Sequence, residues 1–288
     1  MDDQYERDKM HKTHKISPII LFLFITFFII FIFSMLAPVL FPTNLAETHL
    51  ENRLADPVFI NSQSKHLFGT DSLGRDVAIR LIYATRMTLI ISFVGMIIAT
   101  LLGTIMGVLG GMYGGAVDLF VTFLIDVRLS IPITLIGIMC AVVFGANEKT
   151  VILIISLTGW SGFSRLIRGQ VIQLKEASFI ESSKALGASK VRILFEHIIG
   201  NIASPLIVQA TLNLSSFILL ESSLSFLGLG IQPPNTSLGI MVSIGRNFML
   251  NKWWLAIIPS IVIVVIIMQI SLIGDWLRDK LDPKLRNL

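Results

Sequence analysis

The sequence predicts an all-α integral membrane protein with six transmembrane helices and both ends on the inner side. Three observations carry that prediction. The chain is 53% hydrophobic and only 15% charged, whereas soluble domains are about a quarter charged. Its mean hydropathy is +0.78. Six apolar runs reach the length of about 20 residues that a bilayer span requires: 17–41, 87–111, 122–145, 150–169, 204–228 and 253–276. With the N-terminus inside, fourteen lysines and arginines fall on inner segments and eight on outer ones, Arg128 being left out as part of a span. That bias is the one that orients bilayer proteins.

The balance of +4 does not point to nucleic acid. The cations sit at the ends of apolar runs and do not line one helix with interleaved aromatics. One cysteine, Cys140, cannot form an internal disulfide or a zinc cage. The charged start, residues 1–16, reads as an inner tail. The apolar run after it continues to Phe41, too long for the core of a cleaved signal peptide, so 17–41 reads as an uncleaved first helix.

Segment 42–86 lies outside in this arrangement. Asp71 or Ser72 is suited to cap a helix, and Leu73, Val77, Leu81 and Ala84 recur at helical spacing. An amphipathic helix on the outer surface is expected there. Residues 87–276 form the core of five spans. In the first of these, Gly103, Gly107, Gly111 and Gly115 recur every four residues and clear one face for another backbone. Span 122–145 carries Asp126, Arg128 and Pro132, with Asp126 and Arg128 expected to pair at an interface. Span 150–169 contains Gly159-Trp160-Ser161-Gly162. A serine protease would need a base beside Ser161, and no histidine lies in any expected span.

Span 204–228 is the most polar. Gln209, Asn213 and Ser216 share a face, and Glu221 follows. Polar groups inside a membrane bond neighbouring helices or line a path, and these four are the candidate path or gate residues. The Gly-Leu-Gly and Pro-Pro of 227–234 end that helix. Trp253 and Trp254 suit an interfacial belt. The last span leads into an inner tail, 277–288.

Between spans four and five lies the loop 175–204, polar and basic, on the inner side by the charge count. Val171, Leu174, Phe179, Ile180 and Leu186 precede Gly187, and Val191, Leu194, Phe195 and Ile198 follow it. That spacing predicts two short amphipathic helices around a glycine turn. No phosphate-cradling G-x-x-x-x-G-K-[ST] and no metal-ligand spacing is present. The alternative of another class is a stand-alone channel or ion-coupled carrier, which would carry ionisable groups across several spans, where here Glu221 alone qualifies. The pattern here is a path whose energy arrives by contact at this loop.

At that loop the chain resembles the permeases of ATP-binding-cassette importers, whose inner loop reads Glu-Ala-Ala-x-x-x-Gly. Here it reads Glu181-Ser182-Ser183-Lys184-Ala185-Leu186-Gly187. LFGTDSLGRDV (67–77), LIYATRMTL (81–89), LSFLGLGIQPP (224–234) and GDWLRDKLDP (274–283) narrow the resemblance to the dipeptide/oligopeptide/nickel family, in its second-subunit branch. It spans residues 65–285. It implies a type I importer permease fold and a subunit with no cofactor and no enzymatic activity of its own. The implied partners are a second homologous permease, two ATPases that hydrolyse ATP, and an external solute-binding lipoprotein. The implied substrate is a peptide, with nickel or a metal–metallophore complex as the alternative. Glu181, Ser182, Ser183, Ala185, Leu186 and Gly187 would form the contact with an ATPase. Two departures stand out: serines replace both alanines, and Ile199-Gly200 replaces the usual Leu-Pro.

Overall fold

The computed structural model describes residues 18–281. The tail expected at 1–16, and residues 282–288 of the one expected at 277–288, lie outside the described residues. Helix α1 (Pro18–Met35) and the short α2 (Ala37–Leu40) form the first span. Ser34 is the one fully buried residue of α1, and Phe27, Ile30, Phe31 and Met35 are partly buried against the core. Its attachment is to the last helix, α11 (Trp254–Leu281). Phe24 meets Trp276 edge-on at 5.4 Å, and Gln269 Nε2 donates to Thr26 Oγ1 at 2.9 Å.

The expected surface helix starting at Asp71 does not form. Asp71 Oδ1 instead accepts the backbone N–H groups of Leu73 (2.8 Å) and Arg75 (3.0 Å), which holds 71–75 as a turn. The cap is Asp76, whose Oδ1 accepts from the N–H of Ala78 (2.8 Å) and Ile79 (3.2 Å). From there α3 runs unbroken from Val77 to Tyr113. Its 37 residues extend roughly 55 Å, well beyond a hydrocarbon core of about 30 Å. Val77, Leu81 and Ala84 do share a face, but that face packs inside, against Leu238, Trp254 and Leu255.

The turn before α3 is locked by charge. Asp71 Oδ2 accepts from Arg75 Nε at 2.8 Å, and Arg80 Nε lies 3.4 Å from it. All three side chains are buried. Removing one partner of a buried pair leaves the other charged and unpaired, a loss of about 3–5 kcal/mol. Asp71→Asn is therefore expected to raise hydrogen exchange across 54–76 while the spans stay protected. Unchanged exchange there contradicts the lock.

The glycine stripe works as expected for three of its four members. Helix α6 (Glu148–Lys175) lies along α3. A Cβ on Gly103 would stand 2.4 Å from the Trp160 carbonyl oxygen, one on Gly107 2.7 Å from that of Ser164, and one on Gly111 2.7 Å from Val171 Cβ. Gly115 lies past the end of α3 with open space around it. The pairings climb together, so α3 and α6 run parallel, and the segment between them must return the chain across the membrane.

That return is the second correction. Span three is not one continuous helix. It is α4 (Gly115–Ser130) and α5 (Ile133–Phe144), bent by 87°. Pro132 lacks an N–H and disfavours helical backbone at the residue before it; Ile131 is extended, with φ −97° and ψ 123°. Neither piece is long enough to cross alone. The parallel course of α3 and α6 makes the pair one broken crossing rather than a loop that returns to its own side. Asp126 pairs with Arg165, at 3.9 Å, and not with Arg128.

Two helices close the bundle. Helix α9 (Ile199–Phe226) runs antiparallel to α11, with Ser204 Oγ donating to the Leu281 carbonyl at 3.0 Å and Ser215 Oγ 3.0 Å from Ser271 Oγ. Between them sits α10 (Leu238–Arg246), capped by Ser237 and buried at its start. The sequence reading did not anticipate this helix. Trp254 is also not an interfacial anchor: it is 3% exposed, whereas Trp253 remains 46% exposed. Among the described residues five helices are long and apolar enough to cross a membrane, six spans if α4 and α5 count as one, with the starts of α1 and α4 and the ends of α6 and α11 on one face.

Candidate functional site

Three places gather the residues singled out from the sequence. The first is the loop 175–204. Val171 and Leu174 belong to α6, so the helix before the glycine is shorter than their spacing suggested: α7, Ser178–Ala185. Gly187 follows at φ +85°, which non-glycine residues rarely adopt. Ser189 Oγ then accepts from the Arg192 N–H at 3.2 Å and starts α8 (Lys190–Ile193). A π-turn over 194–198 joins α8 to α9 without a break. Ile199 and Gly200 both lie in the helix, and the chain enters span five continuously. The first proline is Pro205, inside α9.

One side of this loop is anchored. Ile180, Ile193 and Ile198 are buried with Met112 of α3, Ile167 and Val171 of α6 and Ile202 of α9. Lys175 Nζ donates to the carbonyls of Gly111 (3.0 Å) and Met112 (3.1 Å) at the end of α3. Asp118 of α4 is bonded to the Arg168 guanidinium of α6. The ends of four helices thus meet under α7. The other side is open. Glu181, Ser182, Ala185 and Gly187 are exposed; Leu186 is 89% exposed, Phe195 67% and Val191 63%. Ser183 is half-buried, its Oγ 3.0 Å from His197 Nε2.

The second place is a cavity of about 240 Å³ near the middle of α6 and α9. Gln209 and Asn213 line it, with Thr158 and Ser161 of α6 and two arginines, Arg128 and Arg165. Ser216 is exposed and lies outside this lining; the α9 face continues through Phe217 instead. A guanidinium at the bilayer centre costs about 2.5–3.5 kcal/mol on insertion scales, unless it is paired or wetted. Arg128 has no ion-pair partner among the described residues, and its Nε is buried with no hydrogen bond. Sequence reasoning missed Arg128 by assigning it to Asp126; a charge inside an apolar run was the available signal.

The third place is Glu221, 0% exposed. Ser225 Oγ donates to Oε1 at 2.8 Å and Ser222 Oγ to Oε2 at 3.4 Å, with the Thr88 and Ser237 hydroxyls beside it. The carboxyl ties α9 to α3 and to the start of α10. It is not among the groups lining the cavity. Glu221→Ala strands several buried hydroxyls, at about 1–3 kcal/mol for an unsatisfied group. A lower Tm of the purified protein is the expected outcome; lost transport at unchanged Tm would instead assign Glu221 to the path.

The profile of a family described as "Binding-protein-dependent transport system inner membrane component" matches residues 99–287. The dipeptide transport system permease protein DppC of Alkalihalophilus pseudofirmus is 36% identical, covering 99% of this chain and 94% of its own length. That of Bacillus subtilis is 35% identical, over 98% and 87%. The oligopeptide transport system permease protein OppC of Escherichia coli is 37% identical, over 96% and 88%. Among solved structures, the MetNI methionine ABC transporter in an inward-facing conformation matches with TM-score 0.58 and 18% identity, covering 70% of this chain and 96% of that chain. Likeness at that identity speaks to the fold alone.

Proposed function

The chain belongs to the binding-protein-dependent transport system inner membrane component family, and from that premise we propose that it carries dipeptides or oligopeptides across the bacterial inner membrane as one permease of an ATP-driven importer. The names of its relatives support the peptide substrate. The observation that carries the mechanism is the two-sided loop: Ile180, Ile193 and Ile198 seat it under the ends of α3, α6 and α9, while Leu186, Val191 and Phe195 face outward.

A helix that presents an apolar face suits a groove on another protein. The partner in this reading is one of two ATPases, with Glu181 and Gly187 at the contact. Closure of the ATPases would push α7 as a rigid body, and the seated isoleucines would pass that push to three spans at once. A second permease completes the path, and a solute-binding lipoprotein delivers peptide at the opposite face, where segment 42–86 lies. The loop and both tails are cytoplasmic in this arrangement. A cysteine at Ser62 is expected to react with an impermeant thiol reagent from outside the cell, and one at Lys190 only after permeabilisation; the reverse labelling would overturn the orientation.

Uptake decides the substrate. Cells lacking this chain are expected to lose accumulation of a labelled dipeptide or tripeptide and to keep nickel uptake. Loss of nickel uptake alone would transfer the assignment to a metal.

A further inference from the structure

We propose that the cavity between α4, α6 and α9 is a carboxylate subsite, with Arg128 as its anchor, that takes the C-terminal end of the peptide in transit. This rests on the peptide reading above. The cavity lies near the middle of α6 and α9 and is partly open, with the Arg165 and Asp126 side chains 63% and 64% exposed. It holds two guanidinium groups, Arg128 and Arg165, against one nearby carboxylate, Asp126, which is 3.9 Å from Arg165. Arg128 is the excess cation. It is half-buried, and its Nε has no partner among the described residues.

Those features select the chemistry of the occupant. A guanidinium offers a planar fork that matches a carboxylate with two parallel hydrogen bonds. Water does not reach the buried Arg128 Nε, which strengthens a pair formed at that atom relative to its value in water. Gln209 and Asn213 add side-chain amides, which donate as well as accept and can hold the remaining oxygen or the last peptide group. At about 240 Å³ the space falls below the range of roughly 300–1,000 Å³ typical of sites for whole small molecules. It therefore takes the C-terminal residues of a longer peptide, with the rest of the chain leaving through the open side. Every peptide carries a C-terminal carboxylate, so a subsite of this kind recognises the class without selecting a sequence.

The test uses the complete importer, this chain with its second permease, ATPases and binding protein, in proteoliposomes. Turnover is measured for trialanine and for its C-terminal amide, each saturating the binding protein. The expected result is about tenfold faster turnover of the free acid, as loss of one charge-assisted pair implies. Arg128→Gln should bring the two rates together by slowing the free acid alone, and Arg128→Lys should keep part of the preference. Equal rates in the unaltered protein, or an undiminished preference in Arg128→Gln, would overturn the subsite. So would failure of both variants to co-purify with the other subunits, which would make Arg128 a structural partner of another subunit. If neither peptide moves in the unaltered importer, the peptide reading itself fails and the subsite with it.

Discussion

Gly187→Pro is expected to reduce ATP-driven uptake to background while the chain still inserts into the membrane. The glycine sits at φ +85°, and proline is held near −65°, so the turn between α7 and α8 cannot close. A Cβ at Gly187 would meet nothing within 4 Å, so the damage comes from backbone direction and not from a clash. The redirected α7 would pull Ile180 from its seat and misplace Glu181 and Leu186. Glu181→Lys tests the same contact without touching the backbone: α7 remains, its exposed charge is reversed, and ATPase association should fall with uptake. Pull-down of the ATPases together with a membrane-fraction blot separates these outcomes. Normal uptake in either variant would remove the loop from the mechanism.

The second large effect is on the fold. Gly103→Leu is expected to abolish accumulation of folded protein. Its Cβ would meet the Trp160 carbonyl oxygen at 2.4 Å and Phe163 Cβ at 2.5 Å. The first is backbone, so α6 would have to move bodily. Overpacking a tight site usually costs about 1–3 kcal/mol, and here the change also separates the longest helix–helix seam in the bundle. Gly169→Leu in α6 serves as the control, because nothing lies within 4 Å of its Cβ position and its backbone is helical. Fluorescence-detected size exclusion should show a sharp peak for the control and an aggregate for Gly103→Leu. Equal peaks would mean the stripe is not a packing surface.

The spans, the seam and the loop were legible because each rests on a local property. Hydropathy located the long apolar helices, the four-residue glycine repeat located the contact of α3 with α6, and the polar interval located α7 and Gly187. What was not legible depended on partners distant in sequence. Leu73, Val77, Leu81 and Ala84 have helical spacing, but spacing does not say that Asp71 spends its carboxylate on the turn before the helix. Pro132 was visible, yet a proline kinks or breaks a helix according to what packs around it, and α4 and α5 bury little. Trp254 has the composition of an interfacial anchor and the environment of a core residue. Arg128 stood beside Asp126 in the chain, while the nearer cation in space was Arg165, from another helix. Gln209 and Asn213 share a face by spacing, but the cavity they line with two arginines exists only once α4, α6 and α9 are assembled.

The central claim is that this chain supplies a path and receives its energy through the 175–204 loop. Reconstitution tests it most directly. Purified chain in proteoliposomes, alone and then with its second permease, ATPases and binding protein, is offered labelled tripeptide with and without ATP. The account predicts no uptake by the chain alone, and uptake by the full set only with ATP. Peptide uptake by the chain alone, or by the full set without ATP, would contradict it.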